Sequence, residues 1–430
     1  MSDALPLPPR PNLEQYRKLA KDLQQAMNNS SDVNAVSLWA KELSETLLRL
    51  QGTKITTERH EDILRETSRI TERWRRFRET SQANEQYKLN DAQLFLSRAH
   101  GFASWPKFAK HLESLAATTS PVSSFEAAAD AVVAGDIESL RRLLRENPSL
   151  VRERSTRSHR STLLHYVAAN GIEDFRQRTP QNIVEVARLL LDYGADVNAE
   201  SDAYGGRSTT LALAATSYHP EKAEVQNHLL ELLIARGADF DAPDSNIVVS
   251  CLRNGRGEAA EFLAARGAQL DLEGACGVGR LDRVREYFSS GRTNPRVSRK
   301  HCIDGFAWAC EFGRTEVVRF LIDHGVDVAA VLPHHGQTGL HWAAVGGRLE
   351  TVRLLLRCGA PVDALEKEWG NTPLGWALYG WGESPTAKRE PYYAVVQELV
   401  QAGSTVNPEW LARDAVRADQ GMLAALSSAK

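Results

Sequence analysis

Several short stretches of this chain carry residue types that can do chemistry. Arg73-Trp74-Arg75-Arg76-Phe77-Arg78 alternates cations with aromatic rings, a combination able to grip phosphates and stack on bases. Residues 60 to 110, however, hold about ten basic and seven acidic side chains, and Glu72 and Glu79 flank the cluster. The same residues therefore describe an amphipathic helix with Trp74 and Phe77 inward and the arginines outward. Gly274-Ala275-Cys276-Gly277-Val278-Gly279 has the glycine content of a phosphate loop, but no strand precedes it and no lysine follows at P-loop spacing. His60-Glu61 begins an HExxH zinc motif that fails at Leu64, where the second histidine should stand. His334-His335 has no cysteine or carboxylate at ligand spacing and reads as a solvated turn. No catalytic, cofactor-binding or metal-ligating residue is assigned from the sequence, and no small-molecule substrate is evident.

The aromatic residues are more informative. Trp308, Trp342 and Trp376 share one phase of a repeated phrase, and Tyr166 holds the same slot in an earlier copy. In a helix Trp342 lies about 200° from Leu340, whereas Ala343 and Ala344 return towards Leu340, so tryptophan and core faces are opposed. Stacked over successive copies, these rings would form a ladder suited to anchoring a protein partner. The same rings also fit sideways packing on the helix of the adjacent copy. Leu213, Ser250 and Gly274 fill the slot in the middle copies, which predicts a gap, with a pocket or constriction over it.

The phrase itself is positional. Gly347, Gly313, Gly279 and Gly255 end one helix of each copy, and an apolar helix of the form Val-x-x-Leu-Leu then runs to a second stop such as Gly359, Gly325 or Gly267. Gly194, Gly237 and Gly403 continue that second series, with Gly291 as a worn member, and the period is about 33 residues where nothing is inserted. Thr162, Thr209 and Thr372 mark helix starts, where a threonine side chain accepts from a first-turn N–H. Thr338-Gly339-Leu340-His341-Trp342-Ala343-Ala344 is the fullest copy.

Threonine start, glycine-ended helix and Gly-Ala-Asp turn in this order resemble the ankyrin repeat. The resemblance covers roughly residues 123 to 407, about eight copies, of which the one at Glu126–Val151 and the one around Gly279 lack the threonine start. It implies that His165 and His341 are structural, bonding neighbouring turns, and that the chain binds another protein without catalysis. Cys251, Cys276 and Cys310 fall where a small apolar side chain is needed between helices. Three copies carry extra residues between their helices, about ten around Glu173–Gln181, seven around Tyr218–Glu224 and ten around Gly380–Pro391. All share one phase, so they would decorate one edge of the stack, as binding elements or as tolerated loops.

Outside the repeat the spacing is also helical. Leu13, Tyr16, Leu19, Ala20 and Leu23 form one stripe, and Val36, Trp39, Leu43 and Leu47 another; Ser104 with Pro106 marks a further helix start. LEQYRKLAKDL and DAQLFLSRAHGFASWPKFAKHLE look like a helical leader found before some bacterial ankyrin proteins. Ser120-Pro121 is the expected seam. After Pro408, Glu409–Leu426 reads as one final helix that closes the stack, with Trp410, Leu411, Val416, Leu423 and Leu426 available for burial.

Composition limits the rest. With 430 residues, 42% of them hydrophobic, and a net charge of −3, the chain has material for a large folded body and no global field favouring nucleic acid or anionic membrane. No run approaches the length needed to cross a bilayer, the proline-rich start is not a secretory signal, and the five cysteines show no CxxC spacing. The expectation is a cytoplasmic all-α protein. It comprises an N-terminal helical domain (1–119, with 1–11 a disordered leader), an ankyrin solenoid (120–407) and a C-terminal capping helix (408–430). Its concave face, anchored by Tyr166, Trp308, Trp342 and Trp376, would bind a protein; a nucleic-acid-associated regulator using the arginine-rich helix is the alternative.

Overall fold

The computed structural model describes residues 4–8, 11–29, 33–50, 57–80, 86–117, 120–240, 246–288, 298–331, 336–384 and 388–428. They fall into two compact units, Met1–Phe240 and Asp241–Lys430. Apart from a two-residue hairpin, Glu200–Ser201 with Ser208–Thr209, and an isolated bridge between Val331 and Thr338, the regular structure described is helical.

The first unit opens with α1 (Leu13–Asn28), α2 (Val33–Leu50), α3 (Thr57–Thr80), α4 (Leu89–Ala99) and α5 (Trp105–Ala116). Their apolar stripes meet as expected: Tyr16, Ala20, Leu23, Val36, Trp39, Leu43 and Leu47 are buried with Trp74, Phe95 and Phe108 in one core. Ser104 stands at the start of α5 with Pro106 in the first turn, but its side chain makes no capping bond. The leader does not fray throughout. Leu5 is 1% exposed, its N–H donates to the Ala99 carbonyl at 2.7 Å, and its carbonyl accepts from His100 Nδ1 at 3.1 Å. Burial of this apolar side chain offsets the entropy of ordering the leader, and its backbone N–H and carbonyl are both satisfied there.

Three helical pairs complete this unit: α6 (Pro121–Ala134) with α7 (Ile137–Glu146), a 3₁₀ segment Leu163–Ala168 with α8 (Ile183–Asp192), and α9 (Thr210–Thr216) with α11 (Gln226–Ala235), α10 (Tyr218–Lys222) lying between the last two. Ser120-Pro121 is a helix start inside the unit and not a boundary between compact bodies. Ser120 Oγ accepts from the Ser123 N–H at 3.0 Å and donates to the Ser114 carbonyl at 2.6 Å, tying α6 to the end of α5.

The second unit holds five pairs: α12 (Ile247–Arg253) with α13 (Gly257–Ala265), α14 (Leu272–Gly277) with α15 (Leu281–Glu286), α16 (Arg299–Glu311) with α17 (Thr315–Asp323), α18 (Gly339–Val345) with α19 (Leu349–Arg357), and α20 (Pro373–Glu383) with α21 (Glu390–Gln401). The expected closing helix is three short ones, α22 (Pro408–Ala412), α23 (Asp414–Ala418) and α24 (Gln420–Leu426). Extended backbone at Arg413 and Asp419 breaks it, and Asp419 restarts α24 by accepting from the Met422 N–H at 3.0 Å. Trp410, Val416 and Leu426 are still buried against the last pair, with Leu411 and Leu423 partly buried.

Local chemistry sets the pairs. At Gly359 the backbone turns left-handed (φ 86°), which lets the Ala360 N–H reach back to the Leu355 carbonyl at 3.0 Å and close the helix end. Neighbouring pairs are then joined by side chains that satisfy the preceding pair's last-turn carbonyls. Arg314 Nε donates to Gly277 O, Arg348 Nε to Glu311 O (both 2.9 Å) and Tyr392 Oη to Val345 O (2.8 Å), while Asn182 Nδ2 does the same for Gly135 O (2.9 Å) in the first unit.

The two phrase histidines form a second set of joints. The Thr338 N–H donates to His341 Nδ1 at 3.1 Å, so the ring proton sits on Nε2, which donates to the Asn371 carbonyl of the next turn at 3.2 Å. His165 repeats this with Thr162 and the Ser208 carbonyl. Burial holds the His165 pKa at about 4, against the opposing pull of that carbonyl.

Candidate partner-binding face

The tryptophan slot is filled from three consecutive first helices of the second unit. Trp308 on α16, Trp342 on α18 and Trp376 on α20 are 34 residues apart, so each holds the same place in the repeat, although α16 begins earlier than the other two helices. All three are half-buried. Ring centroids of Trp308 and Trp342 lie 6.3 Å apart at 51°, and those of Trp342 and Trp376 lie 5.2 Å apart at 78°. Ladder and sideways packing are thus one arrangement: each ring rests on the next, tilted at Trp308–Trp342 and edge towards face at Trp342–Trp376, and leaves part of itself to solvent.

Polar groups finish the row. Trp308 Nε1 points at Glu273 Oε2 at 3.5 Å, and Arg253 pairs with that carboxylate at 3.6 Å. Trp342 Nε1 is sealed from solvent with no hydrogen-bond partner. His341 meets the Trp376 ring at 5.6 Å and 79°, so the joint between turns also braces the ladder. Trp369, in the turn before α20, adds a fourth ring 6.5 Å from Trp376 at 52° and is 65% exposed. Sequence reasoning missed it because it stands outside the repeated phrase; its position four residues from the Asn371-Thr372-Pro373 helix start was the available signal. Glu366 fixes this turn, its carboxylate accepting from the N–H groups of Glu368, Trp369 and Asn371 at 2.7 to 3.2 Å.

The gap in the slot is occupied differently. Gly274 is buried, and a Cβ there would stand 3.3 Å from Val248 and from the Asp271 carboxylate, whereas Ser250 is exposed. Leu213, in the first unit, is 3% exposed.

Tyr166 does not belong to this face. It is fully buried, its hydroxyl donates to Glu173 Oε1 at 3.1 Å, and the Arg176 guanidinium lies 5.9 Å from its ring. Glu173 and Arg176 of the insertion at Glu173–Gln181 fold against it, as do Phe125 and His159, while Asp174, Arg178 and Gln181 of the insertion are exposed. There Glu126 receives Arg157 on one oxygen (2.6 Å) and Arg176 on the other (2.7 Å), while Glu173 receives His159 at 3.0 Å and pairs with Arg157 at 3.2 Å. Burial pushes both carboxyls up, but the two arginines outweigh it, holding Glu126 at about 2 and Glu173 well below its usual range. The other two insertions are partly internal as well: Pro220 of α10 is buried, and α20 runs on through buried Gly380 and Trp381.

Trp74 is 5% exposed, stacked on Phe77 at 5.8 Å, and Arg75 and Arg76 pair with Glu72, so Trp74 offers no face to a base. Gly274–Gly277 is part of α14 and not a phosphate loop. Cys251, Cys276 and Cys310 are buried between helices, which pushes the Cys251 thiol up to about 12 and the other two well above the usual range. The side chains of His60 and Glu61, and His334-His335, lie outside the described residues. No helix among the described residues is long and apolar enough to cross a membrane.

Comparison with known families agrees with this geometry. A model described as ankyrin repeats (3 copies) matches residues 275–366 and 306–409, and one described as ankyrin repeat matches residues 159–202. No curated protein matches the chain. The matched segments take in the ladder, the His341 joint and four of the eight helical pairs, and with them this chain is an ankyrin-repeat protein.

Proposed function

We propose that the chain is a non-catalytic scaffold that binds another protein on the face carrying Trp308, Trp342, Trp376 and Trp369. Ankyrin repeats are in general protein–protein interaction modules. The observation that carries the specific reading is Trp369: a large rigid ring, 65% exposed, continuous with three half-buried ones. Tryptophan loses little conformational entropy on binding and is the residue most enriched at interface hot spots. Leu365, four residues before it, is likewise 65% exposed. A cytoplasmic setting accords with five free cysteines, four of them buried.

Affinity capture from the cell of origin tests this. Wild-type protein and Trp369→Ala are compared at equal loading, with circular dichroism to verify the fold. A partner retained by wild type and lost or strongly depleted on the variant is expected; undiminished recovery on the variant would sink the assignment.

A further inference from the structure

A second feature lies in the first unit, remote in sequence from the ladder. α5, the start of α6 and the loop 156–160 line an open concavity of about 420 Å³. Lys107, Lys110 and Arg160 line it, against a single carboxylate, Asp202, which stands 3.8 Å from Arg160. Both lysines are exposed and neither has an ion-pair partner among the described residues. Arg157 also contributes to the wall, but Glu126 and Glu173 already neutralise it.

Apolar Ala103 and Val122 share the lining with Ser114, Thr156 and Ser158. Val122 sits in the first turn of α6, where its N–H has no helical acceptor. His111 is 1% exposed, bonds Thr156 Oγ1 through Nδ1 at 2.7 Å, and leaves Nε2 buried without a partner. The loop is held open by fixed bonds: the Ser158 N–H donates to Gly101 O at 2.9 Å, and the Asp202 N–H to His159 O at 2.7 Å.

We propose that this cavity binds the phosphate end of a small phosphorylated molecule, with Lys107, Lys110 and Arg160 supplying charge and the start of α6 a backbone donor. Separate cations converging on one concavity fit a compact dianion; a nucleic-acid strand would need a basic track extending beyond it.

The full-length protein is titrated calorimetrically with sodium pyrophosphate and with inorganic phosphate, at constant ionic strength set by sodium chloride. Saturable one-to-one binding of pyrophosphate is expected, weakened about tenfold or more in Lys107→Ala/Lys110→Ala and in Arg160→Ala, and largely kept in Lys107→Arg/Lys110→Arg. The lysines are exposed, so the variants should keep the wild-type circular dichroism. Absence of binding, or equal affinity in the alanine variants, would overturn the proposal. So would a random single-stranded oligonucleotide that binds, is lost in the lysine variant and is not displaced by pyrophosphate, because the surface would then serve a polymer.

Discussion

Single side chains in this chain carry opposite pH signatures. Glu311, at the end of α16, has Oε2 sealed from water without a partner, and burial lifts its pKa to about 7 although Arg348 pulls the other way. Its unfolded value is 4.5, so ionisation costs the folded state more than the unfolded one, and stability is lost as pH rises from 4.5 through 7. Glu311→Gln should therefore raise stability by about 1–3 kcal/mol at pH 8 and change little at pH 4.5, read by urea unfolding at both values. Glu173 is the contrary case. Replacing it with glutamine removes a negative charge from between two buried arginines, and a loss of about 3–5 kcal/mol is expected in the same assay. Neither group was legible in the sequence. Glu126 meets Arg157 and Arg176 across separations of 31 and 50 residues, and no spacing rule spans such distances.

At the scale of elements, what was legible was what is decided locally. Glycine stops, threonine starts and the apolar stripes of α1 and α2 depend on neighbours within a few residues, and among the described residues, which leave out Gly291, the structure places them as read. Tyr166 shows the limit. It shares the register of Trp342, yet the insertion after it folds Arg176 and Glu173 over the ring, so equal phase did not give equal exposure. The C-terminal segment fails for a related reason: its apolar residues have helical spacing, but backbone at Arg413 and Asp419 is extended and the helix is cut into three. Gly359 gives a clean element-level test. A methyl group there meets nothing within 4 Å, so Gly359→Ala isolates the cost of φ 86°. A loss of about 1 kcal/mol is expected from chemical denaturation, and none if the helix end is not left-handed.

Across the whole molecule, the two units should respond differently to acid. His100, His111 and His165, all in the first unit, have an ordinary value of 6.5 that burial lowers to about 3, about 4 and about 4. The stabilisation from keeping them neutral is complete above 6.5 and lost as pH falls towards 4, about 2 kcal/mol each by pH 5. In the second unit burial lowers His341 in the same way, while Glu311 gains on acidification and offsets it. Hydrogen exchange resolved by peptide, compared at pH 7 and pH 5 after correction for intrinsic rates, should show protection falling first within residues 4–240.

The ladder ending at Trp369 is the proposed seat of a protein partner. The most direct measurement places a photo-crosslinking side chain at position 369 and, as a reference, at Tyr204, which is 61% exposed in the first unit. Crosslinking to one cellular protein from 369 and not from 204 is predicted. Crosslinking to that protein from 204 with none from 369 would contradict the claim.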